Sequence, residues 1–231
     1  MAIGNAKNII VGAGAVYLGA STGTEYTEND IPEVAATIEA DGAAGTYQDP
    51  SNVDATSWES VGYTSEGVDL SFEPDYGEVQ VDQLLDVAKI FKQGQRVMLN
   101  TSFTEGTLEN LLIAIGGKAT DLNAQTSSGT NKIQKFEVNG GALGYTPVER
   151  SILVVGPAPD ALLPSPNSSN KKAERIYLGY RALSMDTVGV GVKRDAATVF
   201  PVSFRLLPST ENTATADGNA LYGKIIDRVY G

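Results

Sequence analysis

Apolar and polar residues alternate with a period of two through much of this chain, the signature of half-buried β-strands. The alternation is cleanest at 67–75. Val68, Leu70 and Phe72 fall on one face, and Asp69, Ser71, Glu73 and Asp75 on the other. Pro74 followed by Asp75-Tyr76-Gly77 is a turn signal. Beyond it Glu78, Gln80 and Asp82 alternate with Val79, Val81 and Gln83. The two runs are expected to pair as a hairpin with one acidic and one apolar face. Like charges directly opposite across strands repel. Such a face is either an ordinary hydrated surface or one whose charge serves a function.

Further strands are expected at 8–19, 58–63, 96–103, 132–138, 148–155, 174–181, 183–192, 198–206 and 221–229. Pro201 marks its strand as an edge or a bulge. The stretch 84–95, LLDVAKIFKQGQ, fits a helical turn or a strand equally well. One period of 3.6 stands out: Leu108, Leu111, Leu112 and Ile115 fall on one helical face. Thr104 or Thr107 can cap its start, Glu105 and Glu109 favour that end of the helix dipole, and Gly116-Gly117 ends it. A helix this short needs a sheet to pack on. Residues 20–57 show no sustained period and form a long early loop; 118–131 is expected to be a polar loop.

Composition narrows the function. At 231 residues one domain, 1–231, is expected. Cys and His are both absent, which excludes disulfides, thiolate or imidazole metal sites, and Ser-His-Asp or Cys-His catalysis. Carboxylate, Lys or Tyr chemistry stays open. The net charge of −11 is unevenly placed: residues 1–95 hold 3 Lys/Arg against 16 Asp/Glu, and the remainder is net +2. An acidic chain does not hold DNA by neutralising phosphates, though an acidic wall lets DNA slide without sticking. Simple solubility is the plainer reading of the same charge. No apolar run reaches the roughly 18 residues of a membrane span. Lys7 and the following IIVGAGAVYLGAS have the rhythm of a secretory leader, but the apolar run is short and interrupted by Gly, and a strand is expected there.

Motif evidence for chemistry is thin. Gly12 and Gly14 fit the first two glycines of a dinucleotide fingerprint, but Tyr17 stands where the third belongs and no helix is expected next. No Walker or EF-hand spacing occurs. Lys171-Lys172 and Lys193-Arg194 are isolated basic pairs, not a nucleic-acid patch. No cofactor, catalytic residue or metal ligand is expected.

The order of parts in WESVGYTSEGVDLSFEPDYGEVQVDQ, RVMLNTSFTEGTLENLLIAIGG and the closing TVFPVSFRLLPSTENTATADGNALYGKIIDRVYG resembles the tail tube (major tail) proteins of long-tailed bacteriophages. The resemblance covers mainly 58–117 and 177–231. It implies a mainly β fold, a sandwich or barrel with one short α-helix packed on it and a long early loop. Residues 118–176 are then a candidate for a remodelled outer region. It implies a structural subunit that polymerises as rings, commonly hexameric, stacked into a hollow conduit for DNA. Implied partners are further copies of the chain and the tape measure, tail tip and tail terminator proteins. DNA passes without specific binding, and the chain itself does not insert into a membrane. The location is the virion tail, after assembly in the host cytoplasm. On this reading Glu66, Asp69, Glu73, Asp75, Glu78 and Asp82 face the lumen. Tyr26, Ile31, Val34, Ile38 and Tyr47 give the early loop apolar surface for neighbouring subunits. Two other classes remain open: a β-sandwich binding module or adhesin on a virion or cell surface, and a carboxylate-dependent hydrolase.

Overall fold

The computed structural model describes residues 8–19, 25–27, 31, 58–83, 86–118, 122–126, 132–136, 147–159, 162, 172–185, 187–192, 194, 197–212 and 219–230. The strands in chain order are β1 (Ala15–Gly19), β2 (Trp58–Ser60), β3 (Thr64–Val79), β4 (Lys89–Phe103), β5 (Leu122–Thr126), β6 (Lys132–Phe136), β7 (Arg150–Pro157), β8 (Lys172–Ser184), β9 (Phe200–Leu207) and β10 (Gly223–Tyr230). One helix among the described residues, α1 (Leu108–Ala114), lies between β4 and β5.

Eight strands form one antiparallel sheet in the order β2-β1-β7-β8-β9-β4-β3, with β10 also on β8; β5 and β6 pair separately. The sheet forks at β8. Residues 172–179 of β8 pair with β10, and residues 181–184 pair with β9. Between them the β7 ladder slips: Arg150 faces Ala182, and Ile152 faces Gly179. That extra residue on β8 is a bulge, which bends a strand and re-aims its side chains. Leu178 and Tyr180 point to one cluster of buried residues, and Ala182 to the other.

The fork folds the sheet over itself into a sandwich. Between the two halves lie Val16, Leu18, Ile152 and Val154 from β1 and β7, facing Val97, Leu99, Val202, Phe204 and Leu206 from β4 and β9. Strand alternation gives β1 and β7 a second buried face. Tyr17, Leu153 and Val155 join Trp58, Ile176, Leu178 and Tyr180 there, covered by Ile31 and by Tyr26, whose ring centroid is 5.0 Å from that of Trp58. Gly19 permits this cover, since a Cβ there would come within 2.5 Å of the Tyr26 ring.

α1 closes one end of the sandwich. The Thr107 hydroxyl accepts from Asn110 N at 3.2 Å, which caps the helix. Gly116 leaves it with φ 76, a left-handed turn that suits glycine. The buried face is Asn110, Leu112, Ile113 and Ala114, with Leu111 against the core. Ile115, expected on that face, is exposed because the helix has already ended there.

Three expectations are corrected. No turn forms at Pro74–Gly77; β3 continues through it, with a bulge in its ladder to β4 between Asp75 and Tyr76, and the 84–95 ambiguity resolves into a strand from Lys89. Pro74 is tolerated because β3 is an edge strand, where a missing N–H need not cost a ladder bond. The stretch 118–131 contains β5. Residues 187–192, read as strand, lie outside any strand. The Gly12-x-Gly14 segment leads directly into the strand β1, where a dinucleotide fingerprint requires the start of a helix.

Candidate functional site

The longest ladder among the described residues pairs β3 with β4, and only its base belongs to the sandwich. β4 pairs with β9 over Val97–Phe103, whereas the β3–β4 pairs from Glu73–Arg96 out to Val79–Lys89 have no third strand. These seven residues of β3 form an arm of roughly 23 Å at about 3.3 Å per residue. A lone two-stranded ribbon is marginal in water. This one also exposes large apolar side chains on both faces. Phe72 (52%), Tyr76 (57%) and Ile90 (60%) share one face; Val79 and Phe91 share the other. Single exposed apolar residues are commonplace, but a contiguous set on a protruding ribbon marks a contact surface.

At its base the ribbon is two-faced. Inward rows run Leu70–Leu99–Phe204 and Phe72–Val97–Leu206. Outward rows run Asp69–Asn100–Ser203, Ser71–Met98–Arg205 and Glu73–Arg96. The Ser203 hydroxyl donates to Asn100 Oδ1 at 2.6 Å, tying two of these strands together on the outer face. The outer face of the β9-β4-β3 half is therefore polar, while that of the β2-β1-β7-β8 half is apolar and covered by Tyr26 and Ile31.

The structure divides the six acidic residues singled out in the sequence. Asp69, Glu73 and Asp75 share the polar face by alternation. Glu78 falls on the opposite face with Phe72 and Tyr76. Glu66 sits with Gly67 in a bulge between Ser65 and Val68, at φ 64. Asp82 lies in the turn beyond β3. Arg96 stands directly across from Glu73, and Arg205 lies two strands in. The face mixes three carboxylates with two guanidinium groups and is not uniformly acidic.

At the end away from α1 the sandwich opens into a cleft of 560 Å³ between the arm's base and the β8–β10 pair. Leu70, Phe72, Tyr177, Leu221 and Ile225 line it, and the Tyr222 hydroxyl spans it to Gln95 O at 2.9 Å. β10 is fixed in register by ion pairs on alternate faces: Arg175 to Asp227 at 2.5 and 2.7 Å, and Arg228 to the fully buried Glu174. Burial pushes the Glu174 carboxyl up, with Arg228 opposing it, and the Arg175 guanidinium holds Asp227 below the usual carboxylate range. Among the described residues no group of three acidic side chains is arranged to hold a metal ion, and no helix is long and apolar enough to cross a membrane.

No curated protein matches the chain. A family model described as phage tail tube protein matches residues 1–217. The chain belongs to the phage tail tube protein family. It is therefore a structural subunit of a phage tail tube, found in the tail of the virion, and not an enzyme.

In this tail tube protein the start of the early loop is fastened to its own sheet. Tyr26 N donates to Ser151 Oγ at 3.0 Å, and Tyr26 and Ile31 pack on the second apolar cluster. Val34, Ile38 and Tyr47 lie outside the described residues. Of the two basic pairs, Lys171 and Lys193 do as well, and Arg194 is exposed.

Sequence reasoning missed Glu25, which sits beside Tyr26. Its buried carboxylate accepts from Thr210 N at 2.8 Å, Thr210 Oγ1 at 2.9 Å, Asn212 Nδ2 at 3.1 Å and the Ser209 hydroxyl. Arg181, held bidentate by Glu149 at 2.7 and 2.9 Å, stands 3.8 Å away. Nothing in the sequence separates Glu25 from the other acids of the loop, since its partners lie some 185 residues on. Burial works to raise its pKa, but the hydrogen bonds from Ser209, Thr210 and Asn212 prevail and hold it below the ordinary 4.5. A depressed carboxylate contributes stability that is present above the unfolded pKa and is lost as pH falls through the folded one. Glu25→Gln should therefore destabilise the protein by about 1–3 kcal/mol at pH 7. The gap to the parent should close as pH drops below about 4.5, read by denaturant melts across pH. An equal gap at pH 3 and pH 7 would contradict this role.

Proposed function

We propose that the polar outer face of the β9-β4-β3 half lines the lumen of the tube. The observation that carries this reading is the contrast between the two outer faces: one is apolar and covered, the other polar and built of strands. A ring of such faces, joined through strand edges such as that of β3, would form a continuous inner wall and remove edges that otherwise invite aggregation. The rings, hexameric on the resemblance, stack into a conduit through which genomic DNA leaves the head. Further partners are the tape measure, tail tip and tail terminator proteins, met during assembly in the host cytoplasm. The remainder of the early loop, with Val34, Ile38 and Tyr47, is assigned to contacts with neighbouring subunits.

Asp69, Glu73 and Asp75 give this wall its repulsion toward DNA, and Arg96 and Arg205 keep it from being strongly negative. Reversing the three acids to Lys would add three cations per subunit to the wall beside Arg96, Arg205 and Lys89. Fixed cations along a polyanion release counterions and hold it. The triple variant is expected to form tubes of normal width but to lose at least about tenfold in infectivity, with DNA retained in attached particles. Unchanged infectivity would sink the lumen assignment.

A further inference from the structure

We propose that the tip of the arm, Glu78–Asp82 of one copy, seats in the apolar cleft of the next copy. The proposal rests on the tube reading and names one of its contacts. The cleft has apolar walls, and the two charged residues that line it are both lysines, Lys92 and Lys224. The tip is its complement. Val79 (41%) and Val81 (38%) are exposed, alternating with Glu78, Gln80 and Asp82, and the tip carries no basic residue. In a strand laid along the cleft, Val79 and Val81 point to the floor while the acids stay near the lysine rim.

The tip cannot fill its own cleft. The cleft is walled by the middle of the same ribbon, at Lys92–Gln95, and the ladder continues from Pro74–Gln95 to Val79–Lys89 with one bulge, at Gln93, between Asp75–Gly94 and Tyr76–Lys92. That separation is roughly 17 Å of extended strand, and Ala88 N donates to Val79 O at 2.8 Å, holding the tip in line. A tip that docks must enter another molecule. The two surfaces differ, so the contact is head-to-tail and leaves a free tip and a free cleft at the ends of every assembly. Such a contact propagates without a separate device for each step.

The chain has no Cys, so an engineered pair is unambiguous. The double variant Val81→Cys with Ile225→Cys is assembled under reduction and then oxidised. Tip in cleft predicts a ladder of covalent multimers on a denaturing gel, with nothing beyond dimer from either single variant. Tubes by electron microscopy without a ladder would overturn the contact and leave the tube reading standing. A ladder from Ile9→Cys with Ile225→Cys, and none from the first pair, would give the cleft to the exposed Ile9–Val11 segment instead and overturn the proposal. Absence of any tube or ring from the parent protein would overturn both readings together. Val81→Asp supplies an independent check, because Val81 is exposed in the monomer. Its melting temperature should match the parent while tube yield falls at least tenfold; undiminished yield would refute the docking.

Discussion

Removing the arm, with Phe72 joined to Val97 through Asn-Gly in place of Glu73–Arg96, is expected to abolish tube formation and leave a folded monomer. The deleted residues pair only with each other, so the sandwich keeps its ladders from Thr64–Phe103 to Phe72–Val97. The hydrogen bond from Tyr222 to Gln95 is lost, at a cost of about 1 kcal/mol. For a chain of this size that is a fall of roughly 2–4 °C in melting temperature. Against this small loss stands the removal of Tyr76, Val79, Ile90 and Phe91, exposed apolar side chains that the fold has no use for in isolation. Assembly by light scattering and stability by thermal melt separate the two effects. Tubes from the shortened chain would show that the arm is dispensable.

The second large effect belongs to the core. Phe204 is 2% exposed, stands in the Leu70–Leu99–Phe204 row, and lies 6.4 Å from Phe103 between ring centroids. It faces the β1–β7 half at the centre of the sandwich. Phe204→Ala loses the transfer free energy of the ring and leaves a cavity, together about 3–5 kcal/mol. Phe91→Ala removes the same side chain from the arm and is expected to change monomer stability by no more than about 0.5 kcal/mol while impairing assembly. Urea melts of the two variants test the division of labour. Equal losses, or a loss under about 1 kcal/mol for Phe204→Ala, would mean that the sheets do not pack as described.

This division was partly legible in the sequence. Period-two alternation located β3, β7, β9 and β10, and the spacing of Leu108, Leu111 and Leu112 with Thr107 located α1, because local sterics and capping act within a few residues. The continuation of β3 through Pro74–Gly77 was not legible. Turn chemistry is permissive rather than obligatory, and pairing with Lys89–Gly94 overrode it. The division of the acidic residues followed from that error. A turn at 74–77 would have put Glu78 with Glu73, whereas a continuous strand puts them on opposite faces. The fork at β8 depends on a bulge set by partners on three other strands, and the Glu25 network joins residues far apart in the chain. Neither leaves a local signal. The arm was visible only as composition, an acidic and apolar stretch; its protrusion follows from the end of the β4–β9 pairing at Val97.

On the proposed reading this chain builds a tube through surfaces its monomer leaves exposed. Negative-stain electron microscopy of the purified protein at high concentration, with light scattering across a range of salt, tests it most directly. Hollow tubes or rings of uniform width are the expected result. A monomer that stays dispersed at every concentration and salt, with its arm exposed and stable, would contradict it.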